Sequence, residues 1–211
     1  MAHRQVKPPI HYVGTPVMLF STSNEDGTAN LAPASSYWAL GDMVVLGLED
    51  SSMTAANLLR HGEITINFPS PDLVPAIEAL GDVTGMLPVP AAKADTYVHV
   101  KDKFSFAALT PAPSTHVSPP RVDECDLQLE AVLRRATPGI GGYVIAEVEV
   151  VTVHARDSLI IDGTNHIDPR SWKPTIYSYR HYFGLGQDHG RRPSSPLNRS
   201  GDTASTAPTK Q

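Results

Sequence analysis

The sequence predicts a mainly β protein: an antiparallel barrel with a few short helices packed outside it. Three observations carry that reading. Several segments alternate apolar and polar residues with period two, helical periodicity is confined to two short stretches, and proline is abundant. There are nineteen prolines in 211 residues, against a usual share of about 5%. Proline lacks a backbone donor and breaks helix interiors, so this frequency favours short strands and loops over a helical bundle.

Taken in order, Val17-Met18-Leu19-Phe20 and Met43-Val44-Val45-Leu46 are continuous apolar runs, the pattern of strands buried on both faces. Asn24-Glu25-Asp26-Gly27 between them is a hairpin turn ending in Asp-Gly. Ile64, Ile66 and Phe68 alternate with Thr65 and Asn67. Leu127, Leu129, Ala131 and Leu133 alternate with Gln128, Glu130, Val132 and Arg134, and Val144, Ala146, Val148 and Val150 face Glu147 and Glu149. Each of the three reads as a half-buried strand. Gly139-Ile140-Gly141-Gly142 is the turn that opens the last of them, and Ser158 to Ile161 is one further short strand. Thr54 to His61 reads as a helix capped by Ser51 or Ser52 and stopped by Gly62. A second helix runs from about Leu73 to Leu80, with Asp72 as its cap, Pro75 in its first turn and Gly81 as its stop. Leu109 to Val122, with Pro111, Pro113, Pro119 and Pro120, is a long loop of a kind that is uncommon without a function.

The length suits one domain. We place it at residues 1–186, with 187–211 as a disordered C-terminal tail, because only Leu197, Ala204 and Ala207 are apolar there. A net charge of -5 argues against binding nucleic acid through its phosphates. No apolar run approaches the roughly 20 residues of a membrane helix, and the polar, proline-rich stretch Met1 to Pro9 does not resemble an export signal. The single cysteine, Cys125, excludes an internal disulfide. A reduced, soluble, cytoplasmic protein is expected.

No G-x-S-x-G, H-E-x-x-H, Walker loop or dinucleotide fingerprint is present, and catalytic residues stay unassigned. The nine histidines show no metal-ligand spacing, so no metal is expected. Asp123, Glu124 and Asp126 surround Cys125 and would raise its pKa, which makes it a structural thiol. The informative region holds two hydroxyl-rich segments, Thr28 to Ser36 and Asp50 to Asn57, the second of which opens a helix. Ser51, Ser52 and Thr54 there are compatible with a phosphate site at a helix N-terminus, but spacing alone favours ordinary N-capping, which needs only one of these hydroxyls.

The ordered set Gly14-Thr15-Pro16-Val17, Ser21-Thr22, Asp26-Gly27-Thr28, Asn30-Leu31-Ala32-Pro33, Ser35-Ser36, Ser51-Ser52-x-Thr54-x-x-Asn57-Leu58 and Gly62-Glu63-x-x-x-Asn67 resembles the flavin reductase-like family. The resemblance is good over Val13 to Pro69 and continues more loosely to about Val153. It implies an FMN-binding split barrel, homodimeric, with flavin at the dimer interface. Asn30, Leu31, Ala32, Pro33, Ser35 and Ser36 would then lie along the isoalloxazine, and Ser51, Ser52, Thr54 and Asn57 would form the region of the ribityl phosphate. FMN is the implied cofactor, with FAD as the alternative. NAD(P)H is the implied electron donor, and a partner monooxygenase or another acceptor would take the electrons. The sequence departs from the pattern at one point: Gly141-Gly142-Tyr143 stands where nicotinamide-using members often carry Gly-Asp-His. His99 and His154 are the substitutes the sequence offers. A flavin carrier without NAD(P)H turnover and a cofactor-free interaction barrel are the two rival readings.

Overall fold

The computed structural model describes residues 3–190. Strands β1 (Val13–Pro16), β2 (Met18–Ser23), β3 (Ala29–Ala34), β4 (Tyr37–Leu40) and β5 (Met43–Glu49) lead to helix α1 (Met53–His61). Strand β6 (Glu63–Phe68), helix α2 (Val74–Gly81), the short strands β7 (Val83–Thr84) and β8 (Val98–His99) and the single-turn helix α3 (Lys103–Phe106) follow. Two-residue strands β9 (Pro111–Ala112) and β10 (Arg121–Val122) frame the proline-rich segment. Strands β11 (Leu127–Pro138) and β12 (Tyr143–Ala155) form a long hairpin through the glycine turn, and β13 (Ile176–Ser178) and β14 (His181–Phe183) pair beside β1.

Seven strands make the main sheet, in the order β3-β2-β6-β11-β12-β5-β4, and every pairing in it is antiparallel. The sheet curls into a barrel. Tyr37, on the β4 edge, meets Phe68 of β6 edge-to-face at 5.7 Å, although three strands separate them in the order. Inside the curl Met18, Phe20, Val44, Leu46, Ile64, Ile66, Ala131, Ala146 and Val148 pack with Leu58 of α1. A second core lies on the other side of β2, where Val17, Leu19 and Leu31 meet Ile77 and Leu80 of α2, Phe104 of α3, and Val122 and Cys125. Strand β2 is therefore buried on both faces because it separates two cores, as its apolar run predicts.

Helix α1 follows its sequence signals. Ser52 is the N-cap, and Gly62 at φ +72° takes the left-handed C-terminal position that a side chain would strain. Five expectations need correction. The run Met43 to Leu46 is buried on one face only: Val44 and Leu46 point inward while Met43 is exposed, because no layer covers that side of β5. Strand β6 is buried from Ile64 to Phe68, Thr65 and Asn67 included. Thr65 donates to the Pro120 carbonyl, and Asn67 donates to Leu19 and accepts from the Val122 amide. Gln128 and Glu130 of β11 are likewise buried instead of solvent-facing. Asp72 does not cap α2; a single turn over Pro71–Leu73 leads into the helix without a side-chain cap. Ser158 to Ile161 is one helical turn over Asp157–Leu159 followed by an isolated bridge from Ile160 to Ile167.

Of the expected tail, 187–190 has no regular structure and is exposed, and Asp188 pairs with Arg170 at 2.9 Å. Residues 191–211 lie outside the described residues.

One buried carboxylate gathers three consecutive amides of the proline-rich segment. Glu130, fully buried, accepts from the backbone amides of Thr115 (2.7 Å), His116 (2.6 Å) and Val117 (3.1 Å) and from Nε2 of His154 (2.6 Å). Burial alone would raise its pKa, but the amides and His154 outweigh burial and hold it down at about 2. Because the folded pKa lies below the ordinary value of 4.5, the contribution is full above pH 4.5 and is lost as pH falls towards 2. Glu130→Gln sets an amide donor against backbone donors and is expected to cost about 3 kcal/mol at pH 7. Urea denaturation from pH 7 to 3 should show this gap closing with acid; a constant gap would place the effect in packing instead of charge.

Candidate functional site

A cleft of about 510 Å³ opens where β3, the start of α1 and the segment after α2 meet. Of the residues singled out in the sequence, Asn30, Ala32, Pro33, Ser35, Ser36, Ser52 and Thr54 line it. Leu31, Ser51 and Asn57 do not. Leu31 alternates with Asn30 and Ala32 along β3 and turns into the second core. Ser51 is exposed in the turn before α1. Asn57 is fully buried one turn into the helix.

Asn57 plays a different part. Its Nδ2 donates to Asn24 Oδ1 (2.8 Å) and to Thr22 Oγ1 (3.2 Å), both on or next to β2. Asn30 Nδ2 donates to Thr54 Oγ1 (3.2 Å). These bonds fix the first turn of α1 against the β2–β3 hairpin. The Ser52 hydroxyl accepts from the Ala55 amide (3.1 Å) and donates to the Glu49 carbonyl (2.7 Å), so both its roles are committed to capping and to the turn. Asn30 Oδ1, by contrast, is buried without a partner. The close approach of Gly85 frames it: a Cβ there would stand 2.8 Å from that oxygen.

Sequence reasoning missed the cationic side of the cleft. Lys93 and Lys103 both line it. Lys93 pairs with Glu49 and sits over the Tyr97 ring at 5.0 Å. Lys103 is 3% exposed, and no ion pair reaches it among the described residues. Burial and the neighbouring Lys93 charge push its pKa down to about 8. These lysines come from the irregular stretch after α2, where no periodicity indicates which side chain turns inward. Tyr12, hydrogen-bonded to Ser36 at 2.7 Å, and Tyr143 complete the mouth.

His99 and His154 lie elsewhere: His99 contacts the Met86 carbonyl, and His154 serves Glu130. No cluster of metal-ligating side chains occurs among the described residues. Cys125 is buried, and burial together with Glu124 and Asp126 raises its pKa. No helix among the described residues is long and apolar enough to cross a membrane.

The flavin reductase like domain model matches residues 10–186. The chain belongs to the flavin reductase-like family. It is 41% identical over 191 residues to the uncharacterized protein YdfE of Bacillus subtilis (strain 168), covering 89% of this chain and 92% of that protein. Its fold is similar to that of flavoredoxin from Desulfovibrio vulgaris (Miyazaki F), with TM-score 0.76 at 22% identity, over 90% of this chain and 97% of the other. It is also similar to nitrilotriacetate monooxygenase component B from Bacillus cereus, with TM-score 0.70 at 20% identity, over 90% and 100% of the two chains. The mainly antiparallel sheet with few short helices is the split-barrel flavin reductase fold.

In this family member the Asn57 bonds hold the cleft's helical wall in place. Asn57→Ala takes the donor from the half-buried Asn24 Oδ1 and leaves the buried Thr22 Oγ1 with only the longer bond from Asn30, and should cost about 2 kcal/mol. Thermal unfolding would check it; a loss below about 0.5 kcal/mol would mean that water replaces the amide.

Proposed function

We propose that this protein is an FMN-binding oxidoreductase, with FAD as the alternative flavin, and that it works as a cytoplasmic homodimer. One observation carries the reading. The segment Asn30 to Ser36 and the Ser52–Thr54 turn, far apart in sequence, line one cleft that holds an unpartnered buried carbonyl. That oxygen fits a ligand carrying an N–H, as the pyrimidine edge of a flavin does. The glycine at 85 leaves room for a close approach, and a volume near 510 Å³ suits a ligand of this size.

A bound flavin supplies the hydride and electron chemistry itself. The chain's part is to bind, orient and exclude water. Ala32, Pro33 and Ala34 offer a flat wall, Asn30 accepts a hydrogen bond at one edge, and Tyr12 and Ser36 brace each other at the mouth. No acid–base triad is required, in keeping with a sequence that lacks one. NAD(P)H is the proposed donor, and a partner monooxygenase or a small molecule the acceptor. The similarity to a monooxygenase component supports that class of partner. A carrier of flavin without NAD(P)H turnover is the second reading, favoured by Tyr143, which lines the cleft where nicotinamide-using members often place histidine.

The dimer is supported by an uncovered apolar face. Trp38 and Leu40 on the edge strand β4 continue through Met43 of β5 to Tyr143 and Ile145 of β12, all exposed. The Arg134–Glu149 and Arg135–Glu147 pairs lie beside it. An apolar face next to a free sheet edge suits a second copy, and Tyr143 belongs to both this face and the cleft. Light scattering should give twice the 22.7 kDa chain mass, and Trp38→Glu should shift it towards the monomer with weaker FMN binding. FMN added and then desalted should leave a flavin absorbance band with the protein, and NADH or NADPH oxidation in its presence separates reductase from carrier. A protein that stays colourless and monomeric would overturn the reading.

A further inference from the structure

Three tyrosines form an unbroken line from the cleft to the surface. Tyr12 lines the cleft, where its hydroxyl is hydrogen-bonded to Ser36 Oγ at 2.7 Å. Its backbone carbonyl accepts from the Tyr179 amide at 3.1 Å, so the residue is held at main chain and side chain alike. The ring centroids of Tyr12 and Tyr177 lie 5.7 Å apart, and those of Tyr177 and Tyr182 5.4 Å apart. Neighbouring rings at these separations are in van der Waals contact. Tyr177 and Tyr182 stand directly opposite each other in the β13–β14 pair, so sheet register fixes the second step. The line ends at the exposed Glu78 of α2, whose carboxylate accepts from the Tyr182 hydroxyl. The other aromatic line, Tyr37–Phe68–Trp172, has a phenylalanine at its centre.

Packing alone does not call for three phenols in a row, since phenylalanine rings would pack in the same way. A phenol differs in giving up an electron readily when a base stands ready for its proton. Tyr182 meets that condition through Glu78. Burial and the Glu78 carboxylate raise the pKa of Tyr182, so at rest the proton stays on the phenol. The hydroxyl of Tyr12 faces only the neutral hydroxyl of Ser36. An electron vacancy formed at Tyr12 is therefore more stable at Tyr182, and it moves outward.

We propose that Tyr12, Tyr177 and Tyr182 are a redox relay that carries a one-electron oxidising equivalent from the cleft to the surface beside Glu78. This rests on the flavin-binding reading above, because a reduced flavin meeting dioxygen is the source of oxygen-derived radicals in the cleft. In the relay the radical gains one electron from Tyr12, Tyr177 refills Tyr12, Tyr182 refills Tyr177, and the phenol proton of Tyr182 passes to Glu78. The net change is one electron on the oxidant, a neutral phenoxyl at Tyr182 and a proton on the Glu78 carboxylate. A soluble one-electron reductant then restores Tyr182. The group spared is Met53, whose side chain lines the cleft and whose thioether such oxidants convert to the sulfoxide.

The test illuminates FMN-loaded protein without dioxygen, with the light-excited flavin as the one-electron oxidant. A soluble cobalt(III) ammine takes the electron from the flavin and prevents its return, and a nitroso spin trap captures protein radicals, which peptide mass spectrometry then locates. Wild type should carry the adduct at Tyr182. Tyr177→Phe keeps the ring and its packing but removes the middle phenol; the adduct should leave Tyr182 and appear at Tyr12, with FMN affinity unchanged. Glu78→Gln leaves Tyr182 a hydrogen-bond acceptor but removes the base, and should lower the Tyr182 adduct several-fold. Three merely structural tyrosines would give the same adduct pattern in all three proteins. A Tyr182 adduct undiminished in Tyr177→Phe, or a wild-type adduct confined to Tyr12, would overturn the relay and leave the flavin reading standing. Failure of wild type to retain FMN would overturn the flavin reading and the relay with it.

Discussion

The geometry of the cleft depends on a small buried network of amides and hydroxyls: Thr22, Asn24, Asn30, Thr54 and Asn57. Each of these bonds contributes only about 1 kcal/mol net, but each group left without a partner inside would cost more than that. The network therefore acts as a geometric constraint: α1 can sit against the β2–β3 hairpin in one register only. From that register follows the position of the Ser52 turn, and from the turn the side of the cleft opposite Ala32 and Pro33. Two residues that look like ligand residues in sequence, Thr54 and Asn57, thus divide between lining the cleft and holding it.

The same device fixes the other side of the barrel. Strand β2 is shared by two cores, so its neighbours must be closed off on both sides. On β6 and β11 the closure is made by polar side chains turned inward: Thr65, Asn67, Gln128 and Glu130. They tie down a segment whose prolines cannot donate to a sheet. Asn67 takes the Val122 amide, Gln128 donates to the Cys125 carbonyl, and Glu130 gathers three consecutive amides. Between the short paired strands β9 and β10, the proline-rich segment is ordered because these backbone groups find side-chain partners.

This explains where the sequence was legible. The strand pattern, the Asp-Gly hairpin and the Ser52-to-Gly62 helix rest on local rules, and they appear where those rules put them. Alternation of Ile64, Ile66 and Phe68 with Thr65 and Asn67 signals a strand correctly, but it equates polar with exposed. That equation fails when a second layer supplies partners, as Pro120 and Val122 do here. Met43 to Leu46 fails in the opposite sense, since an apolar run shows only that a surface can be covered. Asp72 and Ser158 had suitable local chemistry and were overruled by the single turns at Pro71–Leu73 and Asp157–Leu159. In the site, the β3 and α1 residues were legible through an ordered motif. Lys93, Lys103 and Gly85 were not, because they come from a stretch with neither periodicity nor motif and acquire meaning only from what faces them.

Two residues of the cleft stand out: the side-chain oxygen of Asn30 is buried without a partner, and Lys103 is 3% exposed with no ion pair among the described residues. One is an acceptor and the other a cation, so a neutral donor suits the first and an anion the second. The fold can satisfy such atoms even in an irregular segment, as Glu130 and its three amides demonstrate. That both survive unpaired in one cleft, braced by the Asn57 network, describes a ligand with a hydrogen-bond donor on one part and a negative charge on another. Local dissatisfaction of this kind is where sequence and fold agree least, and it is the expected mark of a site whose missing partner is a ligand.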